Sequence, residues 1–185
     1  QGNTYTFIYS IVLVVVVAAI LAIVSLSLKP IQDENIENEK RQNILSSVNV
    51  TSTPETSAEL FDKIIKKQFI LNYKGEAIEG NAFGIDIPTE GKKLQNALKN
   101  PELQKALKDE SLLTETIKDD KTLADVKFPV FVADIDGAIK YILPMYGTGL
   151  WGPVWGYISL NDDKNTVYGV LFDHQGETPG LGAEI

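Results

Sequence analysis

The stretch "FPVFVADIDGAIKYIL", Phe128 to Leu143, predicts an antiparallel pair of strands. Two runs rich in Val, Ile, Phe and Tyr flank Asp136-Gly137, a dipeptide that favours the tight turn of a β-hairpin. A second pair of β-rich runs follows within residues 154–173, separated by the polar loop "NDDKN" at 161–165. Two successive hairpins predict an antiparallel sheet.

The residues before these hairpins predict helices and one further strand. Thr56 and Glu59 have the spacing of a capping box, so we expect a helix to begin near residue 57. Apolar residues follow at helical spacing: Leu60, Phe61, Ile64, Ile65 and Phe69. "FILNYKGEAI", Phe69 to Ile78, then predicts a strand with a turn at Lys74-Gly75.

Residues 90–118 are rich in Lys, Leu, Glu and Gln and are interrupted by Pro101. This composition predicts two short surface helices, which resemble an insertion. Together with the hairpins they give an α+β fold class: an antiparallel-sheet domain flanked by helices, over residues 58–185.

The N-terminal part predicts a membrane anchor. Phe7 to Leu28 is a run of 22 residues without charge or proline. As a helix it would be roughly 33 Å long, enough to cross a bilayer. A cleaved signal peptide is the chief alternative, but no basic residue precedes the run, which also exceeds the usual apolar length. Residues 29–57 predict a sparse amphipathic stalk helix followed by a polar linker.

Charge and composition exclude several function classes. The net charge of −8 lies wholly after residue 28, which argues against binding to nucleic acid. The chain has no Cys and one His, so thiolate, iron–sulfur and multi-histidine metal sites are excluded. We therefore expect no metal site and no catalytic side chain. Redox chemistry would need an organic cofactor or a partner.

Two glycine-rich segments carry the remaining signal: "YGTGLWG" at 146–152 and "GETPGLG" at 176–182. Neither has the spacing of a dinucleotide fingerprint or a P-loop. Both can be tight turns, since glycine permits positive φ. Alternatively, a bare backbone admits a flat ligand, with Leu150, Trp151 and Leu181 as apolar walls. His174 is interpreted as a solvated loop residue. Four aspartates are interpreted as turn residues: Asp134, Asp136, Asp162 and Asp163.

The segment from Tyr146 to Ile185 resembles the FMN-binding domain found in the C subunits of Na⁺-translocating NADH:quinone reductases, and more distantly the G subunit of the Rnf complex. The resemblance implies FMN bound covalently, by its phosphate, to a threonine in a motif downstream of residue 185, so that the acceptor threonine is not in this sequence. It also implies the residues that line the flavin: Gly149, Leu150, Trp151, Glu177, Thr178, Gly180, Leu181 and Gly182.

The resemblance implies an electron-transfer subunit of a membrane complex that couples NADH oxidation and quinone reduction to Na⁺ movement. Its partners would be the other subunits and membrane lipid. It would sit in the bacterial inner membrane as a single-pass protein. The family places the domain on the periplasmic side, although Lys29, Lys40 and Arg41 favour the cytoplasmic side by the positive-inside rule. The alternatives are an Rnf-type G subunit or a cofactor-free, membrane-anchored binding module.

Overall fold

A computed structural model describes residues 2–108, 121–150 and 152–174. The chain divides into two compact units, Gln1–Lys40 and Arg41–Ile185. The first helix, α1, runs from Asn3 to Ser46 and has Pro30 inside it. The apolar helix and the stalk helix, which were predicted as successive elements, thus form one uninterrupted helix.

The apolar part of α1 has the character of a membrane span. Its best 18-residue window has a mean hydropathy of 3.2 and is 0% buried, whereas the core helix of a soluble protein is mostly buried. Two hydroxyls within the helix donate to carbonyls one turn earlier: Ser10 to Thr6 and Ser27 to Ile23, each at 2.8 Å. Because polar groups in lipid must find partners within the protein, these bonds suit a membrane environment. By length and composition α1 can cross a membrane.

The second unit is built on one six-stranded sheet, and every strand pair in it is antiparallel. The strands are β1 (Ile65–Leu71), β2 (Ala77–Ile78), β3 (Phe128–Ile135), β4 (Ala138–Thr148), β5 (Pro153–Leu160) and β6 (Val167–His174), in the order β2-β1-β3-β4-β5-β6. Both predicted hairpins are present, and the α+β fold class is confirmed. Asp136 and Gly137 have φ of 52° and 84°, the positive values that a tight two-residue turn requires at both positions.

Among the described residues, three further α-helices and a short 3₁₀ helix at Lys121–Leu123 accompany the sheet; the α-helices are α2 (Pro54–Ile64), α3 (Ile87–Ala97) and α4 (Pro101–Ala106). Each of these three α-helices has proline in its first turn, where the missing N–H costs no hydrogen bond. Asp86 caps α3 by accepting from the Thr89 N–H at 2.9 Å, and Asn100 caps α4 by accepting from the Glu102 N–H at 3.1 Å.

The predicted start of α2 is wrong by one turn. Thr53, not Thr56, is the N-cap, and the Thr53 N–H donates to the Thr56 hydroxyl at 2.9 Å. Thr56 is therefore the third helical residue, the place that Glu59 had in the predicted capping box. Pro54 fixes this start, because its φ suits the first helical position.

The predicted helix also continues too far. Ile65 and Phe69, which fit a helical spacing in the sequence, lie in β1 and pair with Ala133 and Val130 of β3. The apolar run suits either structure, and pairing with a neighbouring buried strand decides the outcome.

The main core lies on one face of the sheet. Phe131 of β3 and Ile142 of β4 are fully buried there, together with Tyr157 of β5. The ring of Phe131 meets Phe61 of α2 and Tyr157 edge to face, at centroid distances of 6.2 and 6.4 Å. Burial of these aromatic rings provides much of the hydrophobic stabilisation of this unit.

The last turn of α1 and the residues after it dock on this face. Ile44, Leu45 and Val48 are buried in the core. The Ser159 hydroxyl of β5 donates to the Ser47 carbonyl at 2.5 Å, and Asn43 Nδ2 donates to Asp173 Oδ2 of β6 at 3.0 Å. This end of the helix is therefore held by both packing and hydrogen bonds.

The region interpreted as an insertion is part of the packed domain. Ile87, Gly91 and Ala97 of α3 are buried, and α3 packs on β4. Leu103 of α4 forms a second apolar cluster with Ala97, Leu123 and Val126. The part of the predicted second helix beyond residue 108 lies outside the described residues.

Candidate functional site

The first glycine-rich segment forms the connection between β4 and β5. The connection is shorter than the glycine-rich sequence indicates, because the first three residues of the segment belong to β4. Their partners in β5 are Trp155 for Tyr146, Val154 for Gly147 and Pro153 for Thr148. The turn itself is 149–152, closed by a hydrogen bond of 2.7 Å from the Gly149 N–H to the Gly152 carbonyl. Leu150, within this turn, is 90% exposed.

Backbone conformation does not explain two glycines of this segment. Positive φ values occur at Gly75, Gly80 and Gly137, but not at Gly147 or Gly149. The interpretation of this segment as a turn that needs glycine for positive φ is therefore not supported.

Packing explains only one of the segment's three glycines. A Cβ on Gly149 would lie 2.8 Å from Val154 Cγ2 and 3.2 Å from the Gly152 carbonyl oxygen, so a side chain there would force these neighbours to shift. A Cβ on Gly147 or Gly152 would meet no described atom within 4 Å. Open space beside a side-chain-free backbone is what a closely approaching planar ligand requires.

The strand that leads to the second glycine-rich segment ends beside this turn. His174, the last residue of β6, pairs with Val154. Pro153, the neighbour of Val154, pairs with Thr148 at the other side of the turn. His174 is half-buried and lies in a strand, so its interpretation as a solvated loop residue is wrong.

The structure thus describes part of the predicted flavin site. Gly149 and Leu150 lie together in the turn. The other six residues lie outside the described residues: Trp151, Glu177, Thr178, Gly180, Leu181 and Gly182. Gly147 and Gly152 were not among the predicted site residues, and no described neighbour requires glycine at either position.

Helix α3 supports the turn from the core side. Gly91 lies against the ring of Tyr146, and a Cβ there would overlap that ring. Gln95 Nε2 donates to the Thr148 hydroxyl at 3.1 Å, directly before Gly149. The last residues of β4 are therefore in contact with one face of α3.

Charged and titratable groups have mainly structural roles here. Asp163 accepts from the Thr166 N–H in the β5–β6 loop, which confirms it as a turn residue. Asp134 lies in β3, so its prediction as a turn residue is wrong, although its carboxylate accepts from the Gly137 N–H of the next turn at 2.8 Å. Hydrogen bonds from the Thr166 side chain and from backbone N–H groups lower the pKa of Asp163 to about 2. Burial, and then the nearby charges of Asp173 and Asp86, raise the pKa of Tyr157. In the described part of the chain no three metal-ligating side chains come together.

A small cavity between α3 and the sheet is not a flavin pocket. It is lined mostly by apolar side chains, among them Leu94, Phe128 and Tyr146, and has a volume of about 50 Å³. Cofactor pockets have volumes of roughly 300–1,000 Å³. A flavin ring would need a different location, such as the open side of the β4–β5 turn.

Comparison with known proteins identifies the family of the chain. A family model described as the FMN-binding domain matches residues 149–185, beginning at the first residue of the turn. The C subunit of the Na(+)-translocating NADH-quinone reductase of Vibrio alginolyticus is 30% identical over 170 residues, 92% of this chain and 62% of the relative. That of Pasteurella multocida is 31% identical over 181 residues, 97% of this chain and 66% of the relative. This chain belongs to that C-subunit family.

A solved structure supports the same membership of the C-subunit family. The crystal structure of the Na(+)-translocating NADH-quinone reductase C subunit from Parabacteroides distasonis matches with a TM-score of 0.61 at 40% identity. The match covers 84% of this chain and 62% of that one. The chain thus spans between 62% and 66% of the length of these three proteins.

Proposed function

We propose that this chain is an FMN-carrying electron-transfer subunit of a Na⁺-translocating NADH:quinone reductase. One observation carries the proposal: the match to an FMN-binding domain begins at Gly149, and two nearby glycines, Gly147 before the turn and Gly152 at its end, are required by no described neighbour. The fit is chemical as well, since a bare backbone and an exposed Leu150 side chain offer a surface to an isoalloxazine ring.

The flavin would supply the one-electron chemistry, and the protein would tune it by hydrogen bonding and burial. The residues that would hold it are Gly149, Leu150 and Trp151 of the turn, with Glu177, Thr178, Gly180, Leu181 and Gly182 of the following segment. Gly147 and Gly152 would keep the approach to the turn open. Among the described residues no NADH-binding fingerprint occurs, so the protein would relay electrons between redox centres of its partners.

The membrane setting follows from α1 and from the family. The helix has no charge over residues 7–28 and is long and apolar enough to cross a membrane, so it would anchor the protein in the bilayer. We place the domain on the periplasmic side of the inner membrane, with the other subunits of the complex and membrane lipid as partners. The FMN would be joined through its phosphate to a threonine downstream of residue 185.

The absorption spectrum of the full-length protein, expressed in a bacterium that assembles such a complex, tests this proposal. We expect flavin bands that remain with the polypeptide after denaturation and precipitation. Bands lost on precipitation would leave FMN as cofactor but exclude the covalent bond. A protein without flavin bands would support the cofactor-free binding module instead.

The proteins that copurify distinguish the reductase from an Rnf-type complex. The relatives compared above carry the quinone-reductase name, which favours that complex. We expect the complex that copurifies with this protein to catalyse Na⁺-dependent reduction of quinone by NADH. Reduction of NAD by ferredoxin would contradict the assignment.

A further inference from the structure

Helix α3 contacts the end of β4 at two successive points. Gly91 and Gln95 are four residues apart and therefore lie on one face of the helix. Tyr146 and Thr148 are two residues apart and lie on one face of the strand. Gly91 lies against Tyr146, and Gln95 contacts Thr148, so the two faces are in register.

The second contact is reciprocal. Gln95 Nε2 donates to the Thr148 hydroxyl at 3.1 Å, and that hydroxyl lies 3.4 Å from Gln95 Oε1, within donating distance. An amide group has both functions, which an alanine or a hydrocarbon side chain lacks. Thr148 is the last residue of β4, so the contact fixes the point from which the turn at Gly149 begins.

The contact lies on the opposite side of the strand from the open space. Tyr146 points into the core face, and Gly147, the residue between the two contacts, faces the other way. Helix α3 can thus hold the strand end from one side, while on the side of Gly147 no described atom lies within 4 Å of a Cβ placed there.

We propose that α3 is a positioning element for the flavin site, with Gln95 orienting the β4–β5 turn through Thr148 and Gly91 permitting the close approach of the helix. This inference rests on the proposed function. It assigns no direct flavin contact to α3, so the effect of Gln95 would be transmitted only through the turn.

Titration of FMN into the full-length protein prepared without flavin tests the inference, with flavin fluorescence and visible circular dichroism as signals. We expect Gln95→Ala and Thr148→Val each to weaken binding by up to about tenfold, the upper limit set by the net value of one hydrogen bond that orders the turn before flavin binds. The double variant should bind no more weakly than either single one, because both remove the same bond. Thr148→Ser keeps the hydroxyl and should restore the wild-type dichroism.

Gln68→Ala is the matched control, since Gln68 is exposed on β1. Binding by Gln95→Ala and Thr148→Val equal to that of wild type and control would overturn the role of α3 while leaving FMN binding intact. Equal weakening by the control, or full additivity in the double variant, would also overturn it. No binding by the wild type would contradict the proposed function and this inference together. Thermal unfolding of each variant shows whether a loss reflects unfolding.

Discussion

At the scale of the residue, the glycines near the β4–β5 turn separate structural from functional requirements. Gly149 is needed by its neighbours Val154 and Gly152, whereas a Cβ on Gly147 or Gly152 would meet no described atom within 4 Å. A turn that served only to connect two strands would tolerate alanine at both of these positions. The proposed flavin site assigns to these two glycines the role of leaving the backbone accessible to the ligand.

Alanine substitution tests this distinction directly. We expect Gly147→Ala and Gly152→Ala to change the free energy of unfolding by less than about 0.5 kcal/mol. Gly149→Ala should cost about 1–3 kcal/mol, because it forces a close contact with Val154. Chemical denaturation measures the stability and FMN titration the binding. Wild-type FMN affinity in both stable variants would contradict a role for these glycines in the flavin site.

Tyr157 predicts a particular dependence of stability on pH. Burial first, and then Asp173 and Asp86, raise its pKa in the folded protein. A raised pKa means that its contribution is complete below about pH 10, the pKa in the unfolded chain, and is lost as the pH rises above that value. Between pH 8 and pH 11 the free energy of unfolding, measured by chemical denaturation, should fall more steeply for the wild type than for Tyr157→Phe. Parallel curves for the two proteins would contradict this.

At the scale of the element, local signals predicted the hairpins well and the helix boundaries less well. Asp136-Gly137 specifies its turn by backbone chemistry alone, so the β3–β4 hairpin could be read from the sequence. Ile65 and Phe69 fit a helix by spacing, but strand β3 pairs with them, and that partner is distant in sequence.

The role of α3 could not be predicted either. Gly91 looks unfavourable inside a helix until the ring of Tyr146 is seen against it, 55 positions along the chain. The site itself was recognisable only as two glycine-rich segments. The sequence of these segments does not show whether a glycine is needed for positive φ, for close packing or for the approach of a ligand. That depends on which atoms are near it in the folded protein.

The attachment of α1 to the sheet gives a prediction at this scale. Ser159 is buried, and its hydroxyl donates to the Ser47 carbonyl. Ser159→Ala should lower the free energy of unfolding by about 1–3 kcal/mol, because a buried acceptor loses this donor. Thr51→Ala, which removes an exposed hydroxyl in the following linker, should cost less than about 0.5 kcal/mol. Equal stability of the two variants would mean that this hydrogen bond contributes little.

At the scale of the whole molecule, the chain combines an apolar N-terminal helix with a folded α+β unit. Such a division suits a protein that is anchored in the membrane and presents a redox group outside the lipid. The strongly acidic composition, with a net charge of −8, is consistent with a domain that contacts other proteins rather than anionic lipid.

The absence of cysteine from this sequence allows the orientation to be measured. Two variants of a full-length protein without other cysteines are compared. Asp162→Cys places the cysteine in the exposed β5–β6 loop, and Asn3→Cys places it before the apolar run. In cells with a permeabilised outer membrane, an impermeant maleimide should label the first variant and not the second. Labelling of Asn3→Cys alone would place the domain in the cytoplasm.

Hydrogen exchange of the full-length protein, with and without FMN, tests the central claim most directly. The amides of residues 146–152 should exchange more slowly when flavin is bound, while those of the Asp136-Gly137 turn should be unchanged. Bound flavin with unaltered exchange at 146–152 would show that the β4–β5 turn is not part of the flavin site.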